Sequence, residues 1–164
     1  MTIRPATEHD WKRIGALGEL LVRTHHGFNP SRFIHPDSMP GDVYISRVRA
    51  EIARGHATVL VADVEGQVVG FLFAGIEPES WKELREVAGY VHDLAVDQAH
   101  RHSGVGTALM ASAIDWFDAR GVSKVMLWTA QQNVDAQRLF HRLGFRPTMI
   151  ELTLSRDVAG LKTT

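Results

Sequence analysis

The stretch Val96-Asp97-Gln98-Ala99-His100-Arg101-His102-Ser103-Gly104-Val105-Gly106-Thr107-Ala108-Leu109-Met110 decides the reading of this chain. It reads as the end of an apolar strand, a short polar turn, and two glycines opening a helix. Glycine allows a tight backbone turn and lets a ligand approach the main chain closely. The first amides of a helix have no partners within it and carry the positive end of its dipole. A strand, turn and helix of this form make an anion cradle suited to phosphate. Arg101 adds a fixed positive charge at the rim.

Two common phosphate patterns do not fit. A dinucleotide fingerprint needs a third small residue, and Leu109 stands where it would fall. A Walker loop needs lysine after the glycine, and Thr107 follows Gly106 directly. What remains is Arg-x-x-Gly-x-Gly after a strand ending in valine.

Working outward, the chain punctuates itself. Thr2 to Ala6 suits a first strand. Thr7 or Asp10 can cap a helix whose apolar stripe is Trp11, Ile14, Leu17, Leu20 and Leu21. His25 to Asp42 reads as irregular, because Pro30, Pro36 and Pro40 break any continuous helix. A second helix is expected over Val43 to Arg54, stopped by Gly55. Ala57 to Asp63 and Val68 to Ile76 form a hairpin turning at Glu65-Gly66. Ala88 to Val96 is a fourth strand, and the glycine loop opens a helix from Val105 to Arg120. Val122 to Thr129 is a fifth strand. Asn133 caps a helix through Leu143, closed by Gly144. Phe145 to Pro147 and Thr148 to Leu154 are further strand candidates. The pattern is a mixed α/β domain with no repeat or linker, so residues 1–164 are expected to form a single domain.

Composition narrows the class. Hydrophobic residues are 45% of 164, enough for one core. The 18 basic residues balance 19 acidic ones, so bulk attraction to nucleic acid or anionic membrane is not expected. Cysteine is absent, which excludes disulfides, thiol nucleophiles and thiolate metal sites. The first ten residues lack the form of a signal peptide, and no apolar run reaches membrane-spanning length. A cytoplasmic protein is the expectation. Nine histidines invite a metal reading, but neither His25-His26 nor His100-x-His102 has ligand spacing, and Arg101 would repel a cation. No metal is expected.

Two motifs together carry a resemblance. The first is Tyr90-Val91-His92-Asp93-Leu94-Ala95-Val96 followed by Arg101-His102-Ser103-Gly104-Val105-Gly106. The second is Asn133-x-x-Ala136-x-x-Leu139-Phe140-x-x-Leu143-Gly144-Phe145. In order and separation they resemble the GNAT N-acetyltransferase superfamily over nearly the whole chain. The resemblance implies a mixed, mostly antiparallel central sheet flanked by helices, with the fourth and fifth strands splayed. It implies acetyl-CoA as co-substrate, held along main chain at Leu94, Ala95 and Val96. The pyrophosphate would sit on the loop Arg101, His102, Ser103, Gly104, Val105, Gly106 and Thr107, with Asn133 and Phe140 also against the cofactor. An amide near Leu94 to Val96 would stabilise the oxyanion.

The implied reaction is direct acetyl transfer to a primary amine, with a small-molecule acceptor expected. A protein N-terminus or lysine is an alternative acceptor, and a non-catalytic acyl-CoA sensor is an alternative of another class. His92 is the candidate base, since imidazole titrates near neutral pH. Strict alternation puts Tyr90, His92, Leu94 and Val96 on one face and Asp93 on the other. Phe140 departs from the family, whose tyrosine donates a proton to the leaving thiolate. Water, Tyr44 or Tyr90 stand as replacements. Phe28, Phe33, Tyr44, Trp81 and Tyr90 are candidate walls of the acceptor pocket. Members of the family often form homodimers, and a homodimer stands as an open expectation.

Overall fold

Residues 68–75 are buried without interruption, so this segment must lie inside a sheet covered on both faces. The computed structural model describes residues 1–156 and places that segment at the centre. The strands are β1 (Thr2–Pro5), β2 (Ala57–Val64), β3 (Gln67–Glu77), β4 (Ala88–Val96) and β5 (Val125–Leu127). They lie in the order β1-β2-β3-β4-β5, antiparallel as far as β4. The last pair, β4 with β5, is parallel. The expected mixed, mostly antiparallel sheet is therefore present. The β2–β3 turn puts both Glu65 and Gly66 at positive φ, as a two-residue hairpin requires.

Helices α1 (Trp11–Phe28) and α2 (Gly41–Ile52) cover one face, where Ile14, Leu17, Tyr44 and Val48 meet Val61, Phe71 and Phe73. Helices α3 (Val105–Asp118) and α4 (Val134–Arg142) cover the other, where Leu109, Met110, Phe117 and Phe140 meet Leu60, Val69 and Leu72. α1 and α2 pack closely because Gly18 has no side chain. A Cβ there would lie 2.4 Å from the Tyr44 ring.

Three expectations need correction. α1 does not stop before His25 but runs to Phe28, with Gly27 in its last turn. Thr24 and His25 bond back to the carbonyls of Leu20 and Leu21, which strengthens that turn. The stop comes at Asn29, which is extended because Pro30 follows it. β5 is three residues, not the eight of Val122 to Thr129. Residues 145–156 contain no strand, against both late candidates. Met149, Ile150, Leu152 and Leu154 are each at least 80% exposed, so this alternating segment has no sheet edge beside it to complete a ladder. The end of the expected domain, residues 157–164, lies outside the described residues.

An ion network ties the amino-terminal strand to the core. Arg4 donates to Asp10 at 2.7 and 3.0 Å and to Asp63 at 2.8 Å. Asp10 also accepts from the Thr7 N–H and hydroxyl, and it is buried. The hydrogen bond from Arg4 holds the Asp10 carboxyl well below the usual carboxylate range, against the opposing effect of burial. A depressed carboxylate adds stability above its unfolded pKa and loses it as pH falls through its folded one. Asp10→Asn should therefore cost about 2 kcal/mol at pH 7. In thermal melts the gap between variant and parent should close as pH falls from about 4 toward 2.

Candidate active site

The glycine loop has the geometry of an anion nest. His102 and Gly104, on either side of Ser103, have φ of 63° and 88° in the turn that opens α3. This curls the main chain so that successive N–H groups converge. Glycine suits such a φ, and histidine is among the side chains that tolerate it. Among the described residues, the amides of His102 through Thr107 donate to no main-chain carbonyl. The first helical bond of α3 runs from Ala108 to Gly104. Space on the ligand side of Gly104 is open, since a Cβ there would meet nothing within 4 Å. Gly106 serves packing instead, because its Cβ would press on Leu139 of α4 at 3.2 Å. Arg101 and Ser103 are exposed at the rim of the loop.

A brace missed in the sequence holds this loop to α1. Asp97 accepts from the Ala99 N–H at 3.1 Å and from the Arg13 guanidinium. Arg13 also donates to the Val68 carbonyl at 3.0 Å. Arg13 lies 84 residues from Asp97, and no local pattern links them.

The second part of the site is a gap in the sheet. β4 pairs with β5 only at Gly89, Tyr90 and Val91, opposite Val125, Met126 and Leu127. On its other side β4 stays paired to β3 as far as Val96. Alternate main-chain groups of residues 92–96 thus face an opening with no neighbouring strand. Leu94, Ala95 and Val96 lie on this free edge. The cleft beside it is lined by Leu21, His25, His92, Asp93, Leu94, Trp128, Asn133 and Phe140, among others. Asn133 caps α4 by accepting from the Ala136 N–H at 3.4 Å, and it also borders the cleft. Phe140 is buried against Phe145.

The strict alternation expected along β4 does not hold. The β3–β4 register shifts between Phe73 and Ala74, which face Asp93 and Val91. His92 is the extra residue of a β-bulge. The bulge turns His92 and Asp93 to the same side, toward α1 and α2, while Leu94 and Val96 pack against the opposite core. His92 stacks between Phe73 at 4.7 Å and Tyr90 at 5.3 Å. Its Nε2 lies 3.1 Å from a Glu77 oxygen. Asp93 accepts from the Tyr44 hydroxyl at 2.7 Å. Burial pushes the Asp93 carboxyl up, while that hydrogen bond and charge on His92 or His25 pull it down. Burial also pushes the Tyr44 hydroxyl well up, and the Asp93 charge adds to this.

The candidate acceptor walls separate into groups. Tyr44 is a core residue, 7% exposed, which reaches the site only through its hydroxyl. Tyr90 meets Trp128 edge to face, and burial with nearby Glu83 pushes its hydroxyl up to about 12. Phe28 and Phe33 do not line the cleft directly but hold the ring of His25 edge-on, at 5.9 and 5.1 Å. Trp81 stands on the β3–β4 loop, 81% exposed. His25 and Trp128 are cleft residues that sequence reasoning missed. For His25 a signal existed, since it continues the stripe Ile14, Leu17, Leu21 by four residues. Among the described residues no cluster of His, Asp and Glu could hold a metal, and no helix is long and apolar enough to cross a membrane.

Comparison with known proteins agrees with this geometry. Residues 21–145 match the Acetyltransferase (GNAT) family. An uncharacterized N-acetyltransferase of Methanocaldococcus jannaschii is 40% identical over 144 residues, covering 88% of this chain and 60% of that protein. The chain thus spans about three fifths of that relative's length. The crystal structure of a tetramutant protein from Bacillus halodurans superposes with a TM-score of 0.78 at 25% identity, covering 94% of this chain and 100% of the other. An aminoglycoside N-acetyltransferase in complex with CoA shares the fold, with a TM-score of 0.75 at 18% identity over 96% of this chain and 95% of that one. With its anion nest, its splayed strands and a family match over most of its length, the chain belongs to the GNAT acetyltransferase family.

Proposed function

We propose that the chain is an acetyl-CoA-dependent N-acetyltransferase that moves the acetyl group directly to a primary amine of a small molecule. The observation that carries this reading is the free edge of β4, which leads along the chain through Val96 into the nest loop. A ligand with a pyrophosphate at one end and an amide-bearing arm fits both. The pyrophosphate accepts from the free amides of residues 102–107 beside Arg101. The arm lies along Leu94, Ala95 and Val96 as a substitute strand, and Asn133 and Phe140 border it. The thioester then reaches the start of the divergence, next to His92.

His92 is the base in this reading. A Glu77 oxygen lies 3.1 Å from Nε2, and Nδ1 is the ring nitrogen left for the substrate. That nitrogen takes a proton from the arriving ammonium. The freed amine attacks the thioester carbon, and an amide near Leu94 to Val96 receives the developing oxyanion. Without cysteine, acetyl transfer by way of a thiol on this chain is excluded. A small-molecule acceptor is supported by the fold shared with the aminoglycoside enzyme; a protein amine is the alternative. Phe140, in place of a hydroxyl-bearing residue, favours the rival reading of a sensor that binds acetyl-CoA without turnover.

Thiol release from acetyl-CoA across a panel of primary amines and short peptides decides between them. Release with small amines is the expected result, and tight acetyl-CoA binding with no release from any acceptor would favour the sensor. His92→Ala should lower kcat about 100-fold while acetyl-CoA affinity stays within a few-fold. Gly104→Val should weaken acetyl-CoA binding at least tenfold in calorimetry, because it fills the ligand side of the nest and strains a left-handed φ. Unchanged affinity in the folded variant would remove the loop from the binding site.

A further inference from the structure

Phe140 leaves a chemical gap in this cleft. An acceptor that enters as an ammonium and leaves as a neutral amide gives up two protons, while CoA departs as a thiol and takes up one. One proton goes to solvent and the other must cross from nitrogen to sulfur. Phenylalanine cannot carry it.

The two tyrosines are poorly placed for the task. The Tyr44 hydroxyl is committed to Asp93, and Tyr44 does not line the cleft. Tyr90 does not line it either. Its hydroxyl, pushed up to about 12, would also give its proton uphill to a thiolate, whose acid has a pKa of about 8.5. The titratable side chains that do line the cleft are His25, His92 and Asp93. His92 is paired with Glu77, and Asp93 is held by Tyr44.

His25 is differently prepared. Its Nδ1 lies 2.9 Å from the Leu21 carbonyl, which can only accept. Nδ1 is therefore the N–H, and in the neutral ring Nε2 carries the lone pair. Phe28 and Phe33 fix the ring plane from two sides. The ring borders the same cleft as Phe140, from the α1 wall, and Asp93 across the cleft supplies a negative charge for an imidazolium.

We propose that His25 transfers the second proton, from the acetylated nitrogen to the departing sulfur, in the role left open by Phe140. This rests on the acetyl transfer proposed above. The first N–H bond breaks toward His92, and the electron pair left on nitrogen forms the bond to the thioester carbon. The second N–H bond breaks toward Nε2 of His25. The carbonyl re-forms, the C–S bond breaks with its pair on sulfur, and His25 returns the proton to sulfur. His25 ends neutral, and His92 releases its proton to solvent at the exposed mouth.

The test is a rescue. Phe140→Tyr restores a hydroxyl on α4, and His25→Gln keeps a donor for the Leu21 carbonyl without a titrating nitrogen. Parent, both single variants and the double variant are compared for thiol release, using acetyl-CoA and the fastest amine among tyramine, spermidine, glucosamine and lysine methyl ester. Acetyl-CoA binding and melting temperature are measured alongside. His25→Gln should lower kcat at least 30-fold with acetyl-CoA affinity within threefold. The double variant should recover at least tenfold of that loss. A structural role for His25 would give no recovery. An unchanged kcat in His25→Gln, or a folded and binding His25→Gln not rescued by the tyrosine, overturns the proposal. His25→Asn repeats the test should the glutamine variant melt early. A parent that releases no thiol with any amine overturns the enzyme reading itself, and this inference with it.

Discussion

The site depends on one constraint, the early end of β4–β5 pairing. A parallel strand pair normally satisfies its main-chain groups along its length, and an unpaired buried N–H or C=O is costly. Here pairing ends at Val91 and Leu127, although β4 runs on to Val96. The separation is maintained from both sides of the gap. α3 packs into the core beneath β4 through Val105 and Leu109, and α4 sits over the opening with Phe140 and Ala136. A free strand edge is usually a hazard that proteins cover. Here the edge at residues 92–96 is left without a neighbouring strand on the β5 side among the described residues.

The opposite face of β4 is organised by the bulge. One extra residue at His92 turns two adjacent polar side chains toward α1 and α2, where strict alternation would have sent one into the other core. The cost of placing Asp93 there is offset by the Tyr44 hydroxyl. Tyr44 can reach it because α2 lies against α1 at a glycine, so the chemistry at β4 relies on a close helix contact on another layer. His25 projects from α1, its Nδ1 held by the Leu21 carbonyl four residues back. The cleft therefore joins the free sheet edge and α4 to the polar side chains of the bulge and α1.

Much of this was legible in the residues, and the reasons differ by element. The glycine loop could be read because its physics is local: φ above zero and free helix amides depend on a few consecutive residues. The cap at Asn133 is local for the same reason. The end of α1 was misread because three prolines outweighed the helical stripe, while the effective stop is the single restriction that Pro30 places on Asn29. The alternating segment after α4 was read as strand because period two is all a sequence can display. A ladder also needs a neighbour, and residues 145–156 have none.

By itself, then, the sequence determined the order of elements from the first strand through the α4 helix, the hairpin turning at Glu65-Gly66, the anion loop and its rim arginine, because each follows from periodicity or from the backbone chemistry of neighbouring residues. It also displayed the loss of the hydroxyl at Phe140. Only the tertiary structure decided where β4 and β5 part, that His92 is a bulge residue sharing a side with Asp93, and that Tyr44 is a buried support rather than a wall. It alone brought Arg13 to Asp97 and His25 to the cleft. These are contacts between residues tens of positions apart, set by how layers pack, and no local pattern encodes a distance across a core.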